Sequence, residues 1–242
     1  MDVPLKQKSC AEARPIACEL CDVRERSICA DLRPQELAHV ERIMSRKTIA
    51  KGRAIMAEGE PNDALFVIVT GSFRLTKHLE DGRRQVTGFL YKGDFAGIRT
   101  TEENPYTAEA LEPSLVCHFP HRFLDEAAKV SPGVKDRLIA RAQTEYHKAQ
   151  DHIVLLGKKT AEERVHSFLN TLAESIGETP RDGRRRTRLP MPRQDIADFL
   201  GLRLETLSRT LASLKKKGLI AEVTRNDLVL IDARERGVTG AK

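Results

Sequence analysis

Residues 48–119 break into short β-rich runs at 64–70, 72–79, 85–91, 107–111 and 114–119, separated by Gly52, Gly59, Gly71, Asp81-Gly82, Gly93 and Gly97. This part of the chain has to pair strand against strand. Many short strands at regular intervals make a small antiparallel barrel or roll. Asp81-Gly82 is a hairpin turn, because glycine supplies the positive φ such turns need. After His121 the texture changes. Pro132 can open a helix, and Val134, Leu138, Ala142, Glu145, Ala149, His152 and Leu156 follow at steps of three or four. That stripe is narrow and suits a two-helix seam over residues 134–157, where the small Ala149 permits close approach. The alternative, a helix lying on the roll, stays open.

Flanking segments complete the parse. Residues 1–30 lack a clean apolar period and read as a loop-rich arm that needs something to order it. Leu37, Val40, Ile43 and Met44 give residues 34–44 helical spacing. Thr160-Ala161-Glu162-Glu163 is a capping box opening a helix to Ile176, with Gly177 as its C-cap. Residues 178–190 read as a basic loop, followed by helix, turn, helix and hairpin to residue 231. The expected class is α+β: an arm at 1–30, a β-roll at 31–131, a long dimerisation helix at 132–157 and a winged helix–turn–helix at 158–242.

Composition narrows the function. Of 242 residues, 40% are hydrophobic and 31% charged. No window approaches about 18 successive apolar residues, and residues 1–20 lack the apolar core of a secretory signal. A cytoplasmic protein with no membrane role is expected. Tryptophan is absent, which disfavours aromatic stacking on single-stranded nucleic acid. The net charge of +6 is uneven: residues 181–242 hold 15 Lys or Arg against 8 Asp or Glu, and the rest is close to neutral. A near-neutral body with a basic end suggests a sensing domain joined to one that binds nucleic acid.

The basic end carries a reading element. Pro192 opens a helix to about Leu200, Gly201 breaks it, and a second helix starts at Leu204 or Glu205: two short helices about a glycine turn. Ile196, Ala197, Leu200, Leu202, Leu207, Leu211 and Leu214 can form its core. Glu205, Ser208 and Arg209 share the opposite face. Arginine can pair with guanine O6 and N7, glutamate can accept from a cytosine amine, and serine suits several edges. Arg203, Thr206, Thr210 and Lys215–Lys217 are candidates for phosphate contacts. Residues 219–223 and 228–231, around Asn226-Asp227, form a wing.

Cysteines are clustered. Cys18, Cys21 and Cys29 follow the pattern Cys-x2-Cys-x7-Cys, Cys10 precedes them and Cys117 stands apart in the β-rich region. Inside cells such clustering points to metal or redox chemistry rather than disulfides. Three thiolates on an arm plus one on a strand suit either zinc or an iron–sulfur cluster, and spacing does not decide between them. No Gly-x-Gly-x-x-Gly, Walker A, Gly-x-Ser-x-Gly or His-Glu-x-x-His motif occurs, so a non-enzymatic role is expected.

The segment RQDIADFLGLRLETLSRTLASLKKKGLI resembles the helix–turn–helix of the CRP/FNR superfamily of bacterial transcription regulators. Within it, Glu205-Thr206-Leu207-Ser208-Arg209 resembles the Glu-x-x-Ser-Arg pattern of the FNR class. The likeness extends over the roll glycines, the long helix and the KKTAEER segment. It agrees with a homodimer, whose seam the helical stripe above puts at Leu138, Ala142, Glu145, Ala149, His152 and Leu156. It also implies a double-stranded palindrome near TTGAT-N4-ATCAA, with Arg209 on the half-site guanine, and RNA polymerase as a partner through loops such as residues 80–84.

The cysteine pattern resembles the subgroup with a seven-residue final spacer. That implies an oxygen-labile [4Fe-4S] cluster on Cys18, Cys21, Cys29 and Cys117, the last in EALEPSLVCHFP, with Cys10 outside the set. The roll resembles a cyclic-nucleotide-binding fold. However, Gly93-Asp94-Phe95-Ala96-Gly97 and Pro105-Tyr106-Thr107-Ala108 lack the arginine that grips a cyclic phosphate in relatives, and Arg99 is out of register, so no cyclic nucleotide is expected. A regulator with structural zinc, haem or a thiol redox sensor is the alternative. A thiol or metal-trafficking protein is a more remote one.

Overall fold

A computed structural model describes residues 18–27, 29–30, 32–99, 101–122, 124–125, 132–178, 185–222 and 227–230; Cys10 lies outside them. The class is α+β with antiparallel strands, and the chain divides into two compact units. One unit is Met1–Phe73 with Lys92–Ile139; the other is Arg74–Tyr91 with Ala140–Lys242.

In the first unit, helix α1 (Pro34–Ile43) starts with proline at its first turn, where a missing N–H costs nothing. The strands β1 (Ser45–Ile49), β8 (Ser114–Pro120), β3 (Ala64–Thr70) and β6 (Phe95–Ala96) form one sheet in the order β1-β8-β3-β6. Six of the seven β3 residues are buried, as expected of a strand with neighbours on both sides. β2 (Ala54–Met56) pairs with β7 (Thr107–Ala110). Strands β3, β7 and β8 fall where the apolar runs predict. β1, β2 and β6 do not appear in the sequence reading, because β1 is the polar run SRKTI and the other two have only three and two residues.

The described part of the arm is two 3-10 turns, Cys18–Leu20 and Arg24–Arg26. Val23 and Leu32 carry it into the apolar cluster formed by Leu37, Val40, Leu65, Val67 and Val134.

The second unit contains β4 (Phe73–His78, from Arg74 on) and β5 (Arg84–Leu90), adjacent in their sheet and joined through Gly82 at φ +80°. Helix α2 (Pro132–Lys158) runs into it, followed by α3 (Ala161–Ile176). Thr160 and Glu163 cap α3 reciprocally, as the capping box predicts. Gly177 caps the other end, but at φ −71° rather than in the left-handed region. Its glycine is required for a different reason, since a Cβ there would collide with the Ala173 carbonyl.

Helices α4 (Arg193–Phe199) and α5 (Leu204–Lys216) follow, then a three-stranded sheet in the order β10 (Ile220–Glu222), β11 (Asp227–Leu230), β9 (Arg185–Arg188). β9 corrects the expected basic loop. Its four residues RRTR bury Thr187 and pair along β11, and the adjacent Leu189 is buried too. The wing expected at 219–223 and 228–231 is β10 and β11; residues 223–226 and 231 lie outside the described residues.

Candidate functional site

The α4–α5 pair is built as the sequence predicts. Ile196, Ala197, Leu200, Leu207 and Leu214 are each at most 1% exposed. Leu202 and Leu211 are half-buried beside them. Gly201 sits at φ +61°, a left-handed conformation that side chains other than glycine rarely adopt. The amide of Leu202 closes the turn by donating to the Ala197 carbonyl at 2.9 Å. Arg164 of α3 clamps this turn from behind. Its Nη1 donates to the Leu200 carbonyl at 3.0 Å, Nη2 to Leu156 at 2.6 Å and Nε to Lys159 at 2.9 Å.

That packing leaves one face of α5 in water. Arg203, Glu205, Ser208 and Arg209 are exposed together, with Thr206 half-buried next to them. Thr210 is buried, so it is withdrawn from the expected phosphate contacts. Lys217 is paired with Glu162 at 2.6 Å. A helix presenting arginine, glutamate and serine from its N-terminal half, within a basic segment, can enter a major groove and read base edges.

The β4–β5 hairpin packs on α4 within the same unit. Asp195, 1% exposed, accepts from Arg74 Nη1 at 2.8 Å and Arg84 Nη2 at 2.7 Å. Gln85 Nε2 donates to the Asp198 carbonyl at 2.7 Å. Phe89, Phe168 and Phe199 meet edge to face or tilted, and His152 stacks on Phe199 with centroids 4.2 Å apart. Burial pushes the His152 imidazole below its ordinary pKa.

Along α2, the residues expected at a seam are divided. Ala142 and Leu156 are half-buried and Ala149 is exposed. Leu138 packs against the core of the first unit. Glu145 pairs with Arg141 at 3.2 Å and Lys148 at 3.0 Å. His152 is occupied by Phe199. The large apolar side chains left in water are Ile139, Tyr146 and Ile153, seven residues apart, with Val154 beside them. The sequence reading did not name these three, although they recur every seven residues.

In the first unit, Cys18, Cys21, Cys29 and Cys117 all line one apolar-walled pocket, together with Val23, Arg24, Val40, Arg46, Val67 and Phe119. All four are free thiols. The turns of the arm bring the first three there: the Arg24 amide donates to the Cys21 carbonyl at 3.0 Å, and the Cys29 amide to Ser27 Oγ at 3.1 Å. β8 supplies Cys117 from the sheet. Burial pushes the Cys29 thiol up to about 12 and the Cys117 thiol up to about 11, and it raises Cys18 as well. Arg46 acts in the opposite direction on Cys18 and Cys117. Among the described residues, no three His, Cys, Asp or Glu side chains converge closely enough to hold a single metal ion.

The donor set nevertheless fits a thiolate-bound centre. Four unlinked thiols, two buried and two half-buried, face one space, and a cation there is what would make them thiolates. The pocket wall also carries Arg24, whose buried Nε has no hydrogen-bond partner.

Comparison with known proteins finds two matching domain families. Residues 46–130 match the cyclic nucleotide-binding domain, and residues 163–236 the Crp-like helix-turn-helix domain. The chain is 33% identical over 218 residues to the transcriptional activator protein FnrL of Cereibacter sphaeroides, covering 89% of this chain and 88% of that one. It is 34% identical over 212 residues to the fumarate nitrate reduction regulatory protein of Klebsiella oxytoca, covering 85% and 83%. Among solved structures it resembles FixK2 from Bradyrhizobium japonicum, with a TM-score of 0.74 and 34% identity over 80% of this chain and 95% of that one.

Proposed function

The chain belongs to the CRP/FNR family of DNA-binding transcription regulators, and from that premise we propose that it is an oxygen-responsive activator. It reads a TTGAT-N4-ATCAA-like palindrome as a homodimer when Cys18, Cys21, Cys29 and Cys117 hold a [4Fe-4S] cluster. Family membership alone leaves the sensor open, because the relatives include both fumarate–nitrate and FixK regulators. The observation that carries the reading is the gathering of four thiols, three from the arm and one from β8, around one pocket.

When bound, the cluster supplies an oxygen-sensitive bond between arm and sheet. Cys18, Cys21 and Cys29 hold the arm's share of it and Cys117 the sheet's. Val23 and Leu32 keep the arm seated in the apolar cluster. A single zinc ion would draw its thiolates to about 2.3 Å each. The preference for a cluster over zinc rests on the likeness of the Cys-x2-Cys-x7-Cys spacing to the FNR subgroup.

Ile139, Tyr146 and Ile153, with Ala142 and Ala149, form the self-pairing face of α2 in this reading. Pairing along it sets two α5 helices at the spacing of a palindrome's half-sites. Arg209 reads the half-site guanine, Glu205 and Ser208 the neighbouring pairs, and Arg203 and Thr206 hold the backbone. Cyclic nucleotide has no part in this reading, because residues 93–97 and 105–108 lack the arginine that grips a cyclic phosphate in relatives. RNA polymerase contacts through residues 80–84 and a cytoplasmic location follow from the same reading. No described helix is long and apolar enough to cross a membrane.

The test is fluorescence anisotropy on a labelled palindrome, using protein loaded with iron and sulfide under nitrogen, then exposed to air. Tight binding under nitrogen that weakens in air is expected, with Cys21→Ser weak in both and Cys10→Ser like the parent. Equal affinity in both gases, or equal loss in both variants, overturns the reading.

A further inference from the structure

Two arginines line the thiol pocket, and neither forms an ion pair with a carboxylate among the described residues. Arg46 lies on β1 directly opposite Cys117 on β8, so the two side chains project from the same face of the sheet. Its Nη2 reaches the Sγ of Cys18 at 3.5 Å, and its positive charge favours the thiolate form of both Cys18 and Cys117. One side chain thus meets a sulfur of the arm and stands across the ladder from the cysteine of the sheet. Arg24 enters from the arm. Its Nη2 donates to the Leu32 carbonyl at 3.0 Å, while its Nε is buried on the pocket wall without a partner. The acidic group near these sulfurs is Glu41, whose Oε1 accepts from the Cys18 amide at 3.4 Å.

Both arginines are half-buried, and a partly desolvated guanidinium without a carboxylate is costly unless another anion faces it. Neutral thiols are poor partners for it; thiolates bound to a metal centre are good ones. A [4Fe-4S] core with four thiolates is a dianion, and the pocket holds two cations to set against it. We propose that Arg46 and Arg24 are the counter-charges of the cluster, and that Arg46 also ties the arm ligand Cys18 to the sheet ligand Cys117. The proposal rests on the iron–sulfur reading of the pocket. Hydrogen bonds to the sulfurs and nearby positive charge are among the factors that set an iron–sulfur potential. Both favour the more electron-rich state, so the arginines raise the potential and make the centre harder to oxidise.

The experiment compares the full-length parent with Arg46→Ala, Arg46→Lys and Arg24→Ala, each loaded anaerobically with iron and sulfide. Metal content, midpoint potential and the half-life of visible absorbance in air are read for each. Arg46→Ala is expected to take up iron, show a lower potential and bleach about tenfold faster, the usual size of an outer-shell effect. Arg46→Lys keeps the charge and stays near the parent, and Arg24→Ala lowers the potential by a smaller step. Unchanged potentials in both alanine variants overturn the proposal. If Arg46→Ala holds no iron, Arg46→Lys decides: parental iron and potential support the charge assignment, while a shifted potential or no iron overturns it. A parent protein that takes up zinc, or iron without sulfide, contradicts the reading of the pocket itself.

Discussion

Replacing Asp195 by alanine removes the acceptor that joins the β4–β5 hairpin to α4. The carboxylate is 1% exposed and takes one charge-assisted hydrogen bond from Arg74 at 2.8 Å and one from Arg84 at 2.7 Å. Bonds to charged groups contribute about 1.5–3 kcal/mol each, and stripping one partner from a buried pair costs about 3–5 kcal/mol. Two features argue for the lower end. The arginine side chains retain 17% and 32% exposure, and Arg84 keeps Asp198 at 3.3 Å.

A loss of about 3 kcal/mol is therefore expected in the second unit, roughly a hundredfold in local protection. The assay is hydrogen exchange by mass spectrometry on peptides spanning residues 193–216, alongside urea unfolding followed by circular dichroism. Arg74→Ala and Arg84→Ala, combined with the Asp195 change, complete the cycle. They should recover part of the loss, because an uncompensated charge is then no longer left behind. A drop below about 1 kcal/mol with unchanged protection of α4, or strict additivity in the cycle, refutes this reasoning.

Arg209→Ala should cost about 1–3 kcal/mol of binding and relax preference at one base pair; uniform loss on every sequence would reduce it to a phosphate contact. His152 is held below its ordinary pKa of 6.5 by burial against Phe199. The unfolded chain therefore takes up its proton first. The stability this packing contributes is present above about pH 6.5 and is lost as pH falls through the lowered folded value. His152→Phe should flatten that acid limb in melts of the second unit. Ile153→Glu puts a charge on the exposed α2 stripe and should shift light scattering of the loaded protein toward monomer, while Glu145→Ala should not; the reverse pattern would restore the stripe expected from the sequence.

The helix–turn–helix was legible because its signals are local: a leucine period, one glycine and a run of exposed polar residues on the opposite face. The strands of the roll were legible where they were long and apolar, as in β3. They were hidden where pairing rather than hydrophobicity decides, as in the polar β1, and so was the arginine-rich β9 of the C-terminal sheet. The α2 stripe divides in the structure between half-buried and exposed positions. A lone helix of period 3.6 has two narrow apolar stripes here, and only the fold shows that Leu138 and His152 are already covered. The four cysteines could be counted in the sequence. That Arg46 faces their sulfurs depends on the β1–β8 register, which no spacing reveals. The same holds for Asp195, whose two arginines lie more than a hundred residues away.

The iron and acid-labile sulfide content of protein loaded under nitrogen, read with its visible absorbance before and after air, tests the thiol pocket most directly. Four irons and four sulfides per chain are expected, with a brown absorbance that bleaches in air and is missing from Cys21→Ser. A colourless chain holding one tight zinc, or a haem Soret band in place of the broad sulfur-to-iron absorbance, would contradict it.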